Sequence, residues 1–152
     1  MKIETRSIQF DNLLVYETTQ LRTDWQEGIF LLEDLLLAEG IYQNGPIFFS
    51  CSPLNGEDKF GRFTYYLPIN HPVRLENEPD FRYEENFYVE KALTLRQADQ
   101  DLDIYAAYEK LQNATKEKEI ALEDTFYCVL LKVFDDIIID LYVPIRSEHH
   151  DF

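Results

Sequence analysis

Residues 13–21, LLVYETTQL, alternate apolar and polar positions and are rich in β-branched and aromatic types, which predicts a strand. Thr23-Asp24-Trp25-Gln26 follows with the form of an N-cap and a glutamine three residues on, and Trp25, Ile29, Leu32, Leu35 and Leu36 then recur at helical spacing. Gly40 closes this amphipathic helix and Asn44-Gly45-Pro46 turns the chain. Two strands are expected at 47–53 and 60–69, joined at Asn55-Gly56, a pair suited to a hairpin turn.

Residues 71–86 carry His71-Pro72, Glu78-Pro79 and many charges, and are predicted to be a linker because proline cannot donate to a sheet ladder. The same order of elements then returns. A strand at 87–96 leads to Asp99, Asp101 and Asp103, whose carboxylates suit a helix N-terminus. Ile104, Tyr108, Leu111 and Thr115 mark one helical face, with Lys116 and Lys118 at its C-terminal end, and strands at 124–133 and 137–145 meet at Asp135-Asp136.

The two halves also match in detail. FTYYLPIN (63–70) and IDLYVPIR (139–146) each place Pro-Ile after an alternating strand, and FFSC and FYCV open the strands before them. Agreement in element order, spacing and the terminal Pro-Ile predicts a duplication. The fold class that follows is α+β: two β-α-β-β units forming one antiparallel sheet, with two helices packed on one face and the other face free. The domain is expected to span 1–146, as repeats of about 1–70 and 87–146, with 147–152 a flexible tail. Leu32, Leu35, Tyr108, Leu111, Ile139 and Leu141 should lie between sheet and helices.

At 152 residues, 45% hydrophobic and 14% aromatic, the chain can bury one substantial core. Its net charge is −15; up to Glu76 there are 6 basic and 11 acidic residues, and after it 8 and 18, so both halves are acidic. Nucleic-acid binding needs clustered cations, and no dense basic patch occurs. Cys51 and Cys128 sit in apolar runs, where reduced core thiols are expected. There is no secretory h-region, and Glu33, Asp34 and Asp140 interrupt the longest apolar stretches, so no membrane span is expected and cytoplasm is the default compartment.

Two β-α-β-β units, a last strand of the form acidic-x-x-x-Pro (Asp140 to Pro144) and Gly45-Pro46 after the first helix together resemble the GyrI-like effector-binding superfamily. The resemblance covers residues 3–146. It implies a cleft on the free sheet face between the repeats that holds hydrophobic compounds or organic cations, in a stand-alone member with no helix-turn-helix segment ahead of it. In that family a carboxylate on the last strand, usually Glu, faces the bound cation; the matching residue here is Asp140, one methylene shorter.

Strand alternation places Ile137, Ile139, Leu141 and Val143 on the helix side and Asp140 and Tyr142 on the free side. The repeat offset adds Thr64 and Tyr66, and aligning the first strands of the units adds Tyr16 opposite Glu90 and Thr18 opposite Ala92. The candidate ligand site is therefore Asp140, Tyr142, Tyr66, Tyr16, Glu90 and Thr64, an aromatic wall with two carboxylates. Such a surface attracts cations by about 0.5 to 2 kcal/mol per aromatic face. Trp25 is expected in the core and His71 in a loop. His149 and His150, with Glu148 and Asp151, lie in the tail and are not expected to hold a metal.

No nucleophile elbow, zinc-protease helix or phosphate-binding glycine loop is present, and there are only 5 glycines, so catalytic residues and cofactors are not predicted. The leading expectation is a small-molecule-binding protein for a hydrophobic or cationic compound. The alternative is an acidic interaction module with a basic protein partner, and a hydrolase using Asp140 and Glu90 ranks third.

Overall fold

The computed structural model describes residues 3–75, 79–97, 103–133 and 136–146. In chain order the elements are β1 (Ile3–Leu21), a 3-10 turn (Arg22–Asp24), α1 (Glu27–Glu39), β2 (Phe48–Leu54), β3 (Glu57–Pro68), β4 (Phe81–Gln97), α2 (Ile104–Lys116), β5 (Phe126–Val133) and β6 (Asp136–Pro144). All strand pairs are antiparallel, in the order β1-β3-β2-β5-β6-β4, and β4 pairs back onto β1, so the sheet closes into a ring.

Two strands are longer than the sequence pattern predicts. β1 begins ten residues before Leu13, because a left-handed Asn12 (φ 58°) breaks the period that would have revealed it. β4 begins at Phe81, inside the predicted linker, so the connection after β3 ends at Asp80.

The helix start also differs. The capping box at Thr23–Gln26 does not form: these residues belong to the 3-10 turn and its exit, and α1 begins at Glu27 with no side-chain cap. Tertiary bonding replaces it. The Tyr65 hydroxyl donates to the Trp25 carbonyl at 2.6 Å, and the Trp25 ring stacks on Phe49 at 5.4 Å. A Cβ on Gly28 would lie 2.3 Å from the Tyr65 ring, so glycine is what lets α1 approach β3 this closely. Gly40, at φ 64°, ends the helix as expected. α2 starts as its sequence predicts, with the Asp103 carboxylate accepting from the amides of Tyr105 and Ala106. Asp99, Asp101 and Asp135 lie outside the described residues.

Both helices pack on one face of the sheet, where Leu32 and Leu35 of α1 and Ile104, Ala107 and Leu111 of α2 join Phe49, Tyr65, Leu67, Cys128, Ile139 and Leu141 in one buried cluster. Tyr108 is half-buried and donates to the Glu123 carbonyl at 3.0 Å. Cys51 and Cys128 are buried, free thiols, and burial raises both pKa values.

The strand registers confirm the equivalence suggested by Pro-Ile, since Pro68 faces Leu13 while Pro144 faces Ala92, and Tyr66 faces Val15 while Tyr142 faces Thr94. They correct the hairpin alignment by one residue. Phe48 pairs with Tyr66 and Tyr127 with Tyr142, so Phe48 corresponds to Tyr127 and not to Phe126. A one-residue slip in a strand moves a side chain to the opposite face.

Candidate functional site

The face without helices has a second, smaller apolar cluster: Leu13, Val15, Phe48, Tyr66 and Val129, with Phe10, Phe87, Tyr127 and Tyr142 packed against it. Its centre is filled by aromatic rings. Phe48 stacks on Tyr66 at 4.6 Å and on Phe10 at 4.9 Å, Phe87 lies 4.9 Å from Tyr66, and Tyr127 meets the Phe87 edge at 5.4 Å. Burial pushes the Tyr66 and Tyr127 hydroxyls above the ordinary phenol range, with carboxylates such as Glu84 adding to the effect.

Polar groups occupy the two ends of this face. At one end, β6 presents Asp140, whose side chain is 9% exposed, to its register partner Arg96 on β4. Arg96 donates twice to the carboxylate, at 2.8 and 3.0 Å, while its own side chain remains 57% exposed. That pairing raises the Arg96 pKa. Glu4 and Arg6 of β1, bonded to each other at 2.8 Å, and Thr94 complete the walls of an open cavity of about 330 Å³.

At the other end Glu17 of β1 pairs with Thr64, which donates to it at 3.4 Å, and Arg62 and Arg82 each approach Glu17 within 3.4 Å. Arg82 also bridges to Glu84 at 3.0 Å. Through the repeat, Glu17 corresponds to Arg96, Thr64 to Asp140, Glu84 to Arg6 and Arg82 to Glu4, because each pair meets equivalent strand positions. At three of these four related pairs the charges are opposite in sign; the fourth sets neutral Thr64 against Asp140.

Of the six site residues expected from sequence, four share the free face: Asp140 and Tyr142 at one end, Thr64 and Tyr66 toward the other. Tyr16 does not. It lies on the helix side against Tyr65 and Phe81, at 6.1 and 5.3 Å, because the registers relate Glu17, and not Tyr16, to the second copy's free face. Glu90 is exposed where the β1–β4 register shifts, away from the cavity lining. Sequence reasoning missed Arg96, although alternation from Ala92 through Thr94 leads to it. Phe87, the first residue of the predicted strand, was missed because an extra β4 residue between Val89 and Ala92 puts alternation counted back from Ala92 out of step. Among the described residues no group of three or more His, Cys, Asp and Glu could hold a metal; the predicted tail, His149 and His150 included, lies outside them.

Over residues 10–149 the sequence matches the family described as Domain of unknown function (DUF5085). The chain belongs to that family. No curated protein matches it. This DUF5085 chain is similar in fold to the EcmrR C-terminal domain, with 14% identity, 96% of this chain and 99% of that one covered, and a TM-score of 0.65. A hydrolase from Listeria innocua aligns over 95% of this chain and 92% of its own, at 9% identity and a TM-score of 0.61. SAV2435, solved bound to tetraphenylphosphonium, aligns over 99% and 98% at 14% identity and a TM-score of 0.50. At these identities the likeness is one of fold. Among the described residues no helix is long and apolar enough to cross a membrane.

Proposed function

We propose that this protein binds a small hydrophobic compound bearing a positive charge on the free sheet face, at the cavity between β1, β4 and β6. The observation that carries this reading is the asymmetric ion pair: Asp140 is nearly buried, whereas the Arg96 that neutralises it is more than half exposed. Arg96 is therefore a counter-ion that can swing out, and a ligand cation can take its place on the same carboxylate. Tyr142, beside Asp140 on β6, supplies an aromatic face, and Tyr66 and Thr64 lie farther along the same surface. The tetraphenylphosphonium held by SAV2435, a protein of similar fold, is the kind of ligand this arrangement suits.

Titration calorimetry with tetraphenylphosphonium tests the reading. Asp140→Asn should weaken binding by about 1 to 3 kcal/mol if the pair is desolvated, and Arg96→Gln should strengthen it by removing the competitor. Equal affinities for all three proteins at two salt concentrations would remove Asp140 from the site. The filled aromatic centre around Phe48 and Phe87 favours a second reading, an acidic interaction module whose cleft is closed by its own side chains; absence of any tetraphenylphosphonium binding would leave that reading ahead.

A further inference from the structure

The two helices hold equivalent places in the repeat but show solvent different surfaces. α2 turns Glu109, Lys110, Gln112, Asn113 and Lys116 outward. α1 turns out Phe30 and Leu37, which are 57% and 78% exposed, together with Leu31 and Ala38. Placed around the helix at 100° per residue, Leu36, Ile29, Glu33, Leu37 and Phe30 follow one another from the buried side to the open side. This flank rises beside a groove of about 410 Å³ walled by Ile29 on one side and by Pro46, Ile47, Leu130 and Leu131 on the other. The apolar rim and the groove form one surface, on the helix side of the sheet and away from the cavity at Asp140.

The charges around it select the occupant. α1 contains Glu27, Glu33, Asp34 and Glu39 and no Lys or Arg, while Lys132, the cation lining the groove, lies 3.8 Å from Glu33 and is mostly exposed. A second copy would bring two such sets of carboxylates together, which opposes self-association through this flank. An anionic bilayer meets the same repulsion. A helix with apolar residues on one face and cations at its margins meets none, and ridges spaced at i, i+3, i+4 and i+7 match those of α1.

We propose that the outer flank of α1 and the groove beside β5 form a docking surface for a basic amphipathic helix of a partner protein. α1 spans 13 residues, about 20 Å, so three to four turns of partner helix fit along it. Nothing in this assignment depends on the free face holding a ligand.

The probe is a fluorescein-labelled synthetic peptide with Leu at helical a, d and e spacing and Lys at the margins, titrated by anisotropy into the full chain. Two controls accompany it: the same composition permuted so that Leu is spread around the helix, and the same Leu pattern with Glu margins. The patterned basic peptide should bind most tightly, and Phe30→Ser with Leu37→Ser should weaken it about tenfold or more, since exposed apolar anchors dominate such interfaces. Hydrogen exchange should slow in α1 and at Leu130 and Leu131. Gln112→Ser with Asn113→Ser on α2 should leave binding unchanged, and because all four positions are exposed, melting curves should confirm that both variants fold. Equal binding of patterned and permuted peptides, or no loss in the Phe30/Leu37 variant, overturns the proposal. So does sedimentation showing that the wild type dimerises through these residues, or flotation with phosphatidylglycerol vesicles that the variant abolishes.

Discussion

At positions related by the duplication, one end of the free face carries Glu17, Thr64, Glu84 and Arg82 where the other end carries Arg96, Asp140, Arg6 and Glu4. The strand register is the same at both ends, and the sign of the charge is reversed at three of the four pairs. At the first end a carboxylate on β1 is shared by arginines from β3 and β4; at the second the carboxylate has moved to β6, the last strand, and its arginine sits at the position equivalent to Glu17. Hydrogen-bonded register thus decides which positions meet across the sheet, and leaves open which partner is the acid. The exposed carboxylate of the first copy loses little from any one contact, whereas the buried Asp140 of the second depends on Arg96.

The largest effect that tests this correspondence lies in the aromatic centre. Phe48→Ala removes a fully buried ring and should cost about 3 to 5 kcal/mol in urea unfolding, while Tyr127→Ala, its half-buried counterpart, should cost about 1 to 3 kcal/mol. Equal losses would mean that the two copies share the centre evenly. Next comes a conversion of one end into the other. Arg96→Glu sets a second carboxylate against Asp140 and should destabilise by about 2 to 3 kcal/mol, and adding Asp140→Thr, which rebuilds the Glu17–Thr64 pair, should recover all but about 1 kcal/mol. A double variant no better than the single one would break the comparison.

The helices give a smaller effect. Leu37→Ser on α1 should change stability by no more than about 0.5 kcal/mol, as for a polar position on α2, because the side chain is already in solvent. A loss beyond that would mean that Leu37 packs within the chain. The smallest effect is spectroscopic. Burial raises both tyrosines of the related pair, Tyr66 being the more buried; Tyr127, Glu84 and Glu17 push Tyr66 further up against Arg82, whereas at Tyr142 the raising by Asp140 is opposed by both Arg6 and Arg96. On raising the pH, NMR of ring-labelled tyrosine should therefore record Tyr142 ionising before Tyr66. Since both folded values lie above the ordinary phenol value of about 10, the stability linked to them is complete below that pH and is lost as pH rises through the folded values. The reverse order would show that the local charges do not govern these rings.

Much of this architecture is written in short-range pattern. Helical spacing in α1 and α2, the glycine that ends α1 and the two Pro-Ile strands locate most elements, and alternation along β6 separates Asp140 and Tyr142 from Ile139 and Leu141. What pattern misses is register. The early part of β1 stays hidden because its period breaks at Asn12, and with that stretch hidden, and an extra residue on β4 between Val89 and Ala92, the first strands of the copies are aligned wrongly, which puts Tyr16 on the free face. The pairing of Arg96 with Asp140 joins residues on different strands, and alternation reports a side chain's face without naming the neighbour across the ladder. The capping-box pattern at Thr23 misleads for a related reason: bonding from Tyr65 holds that turn, and such a long-range contact leaves no local mark.

Closure of the ring gives every strand two hydrogen-bonded neighbours. Where two neighbours are present a partner finds no row of unpaired amides and carbonyls to extend; β1 before Leu13 and β4 before Lys91 pair with each other on one side alone, so strand addition is confined to those outer edges. Over the rest of the ring recognition is left to side chains on the two faces. Substitutions there can alter what is bound without disturbing the backbone bonding, so the surface of each copy is free to diverge while the ring itself stays constant.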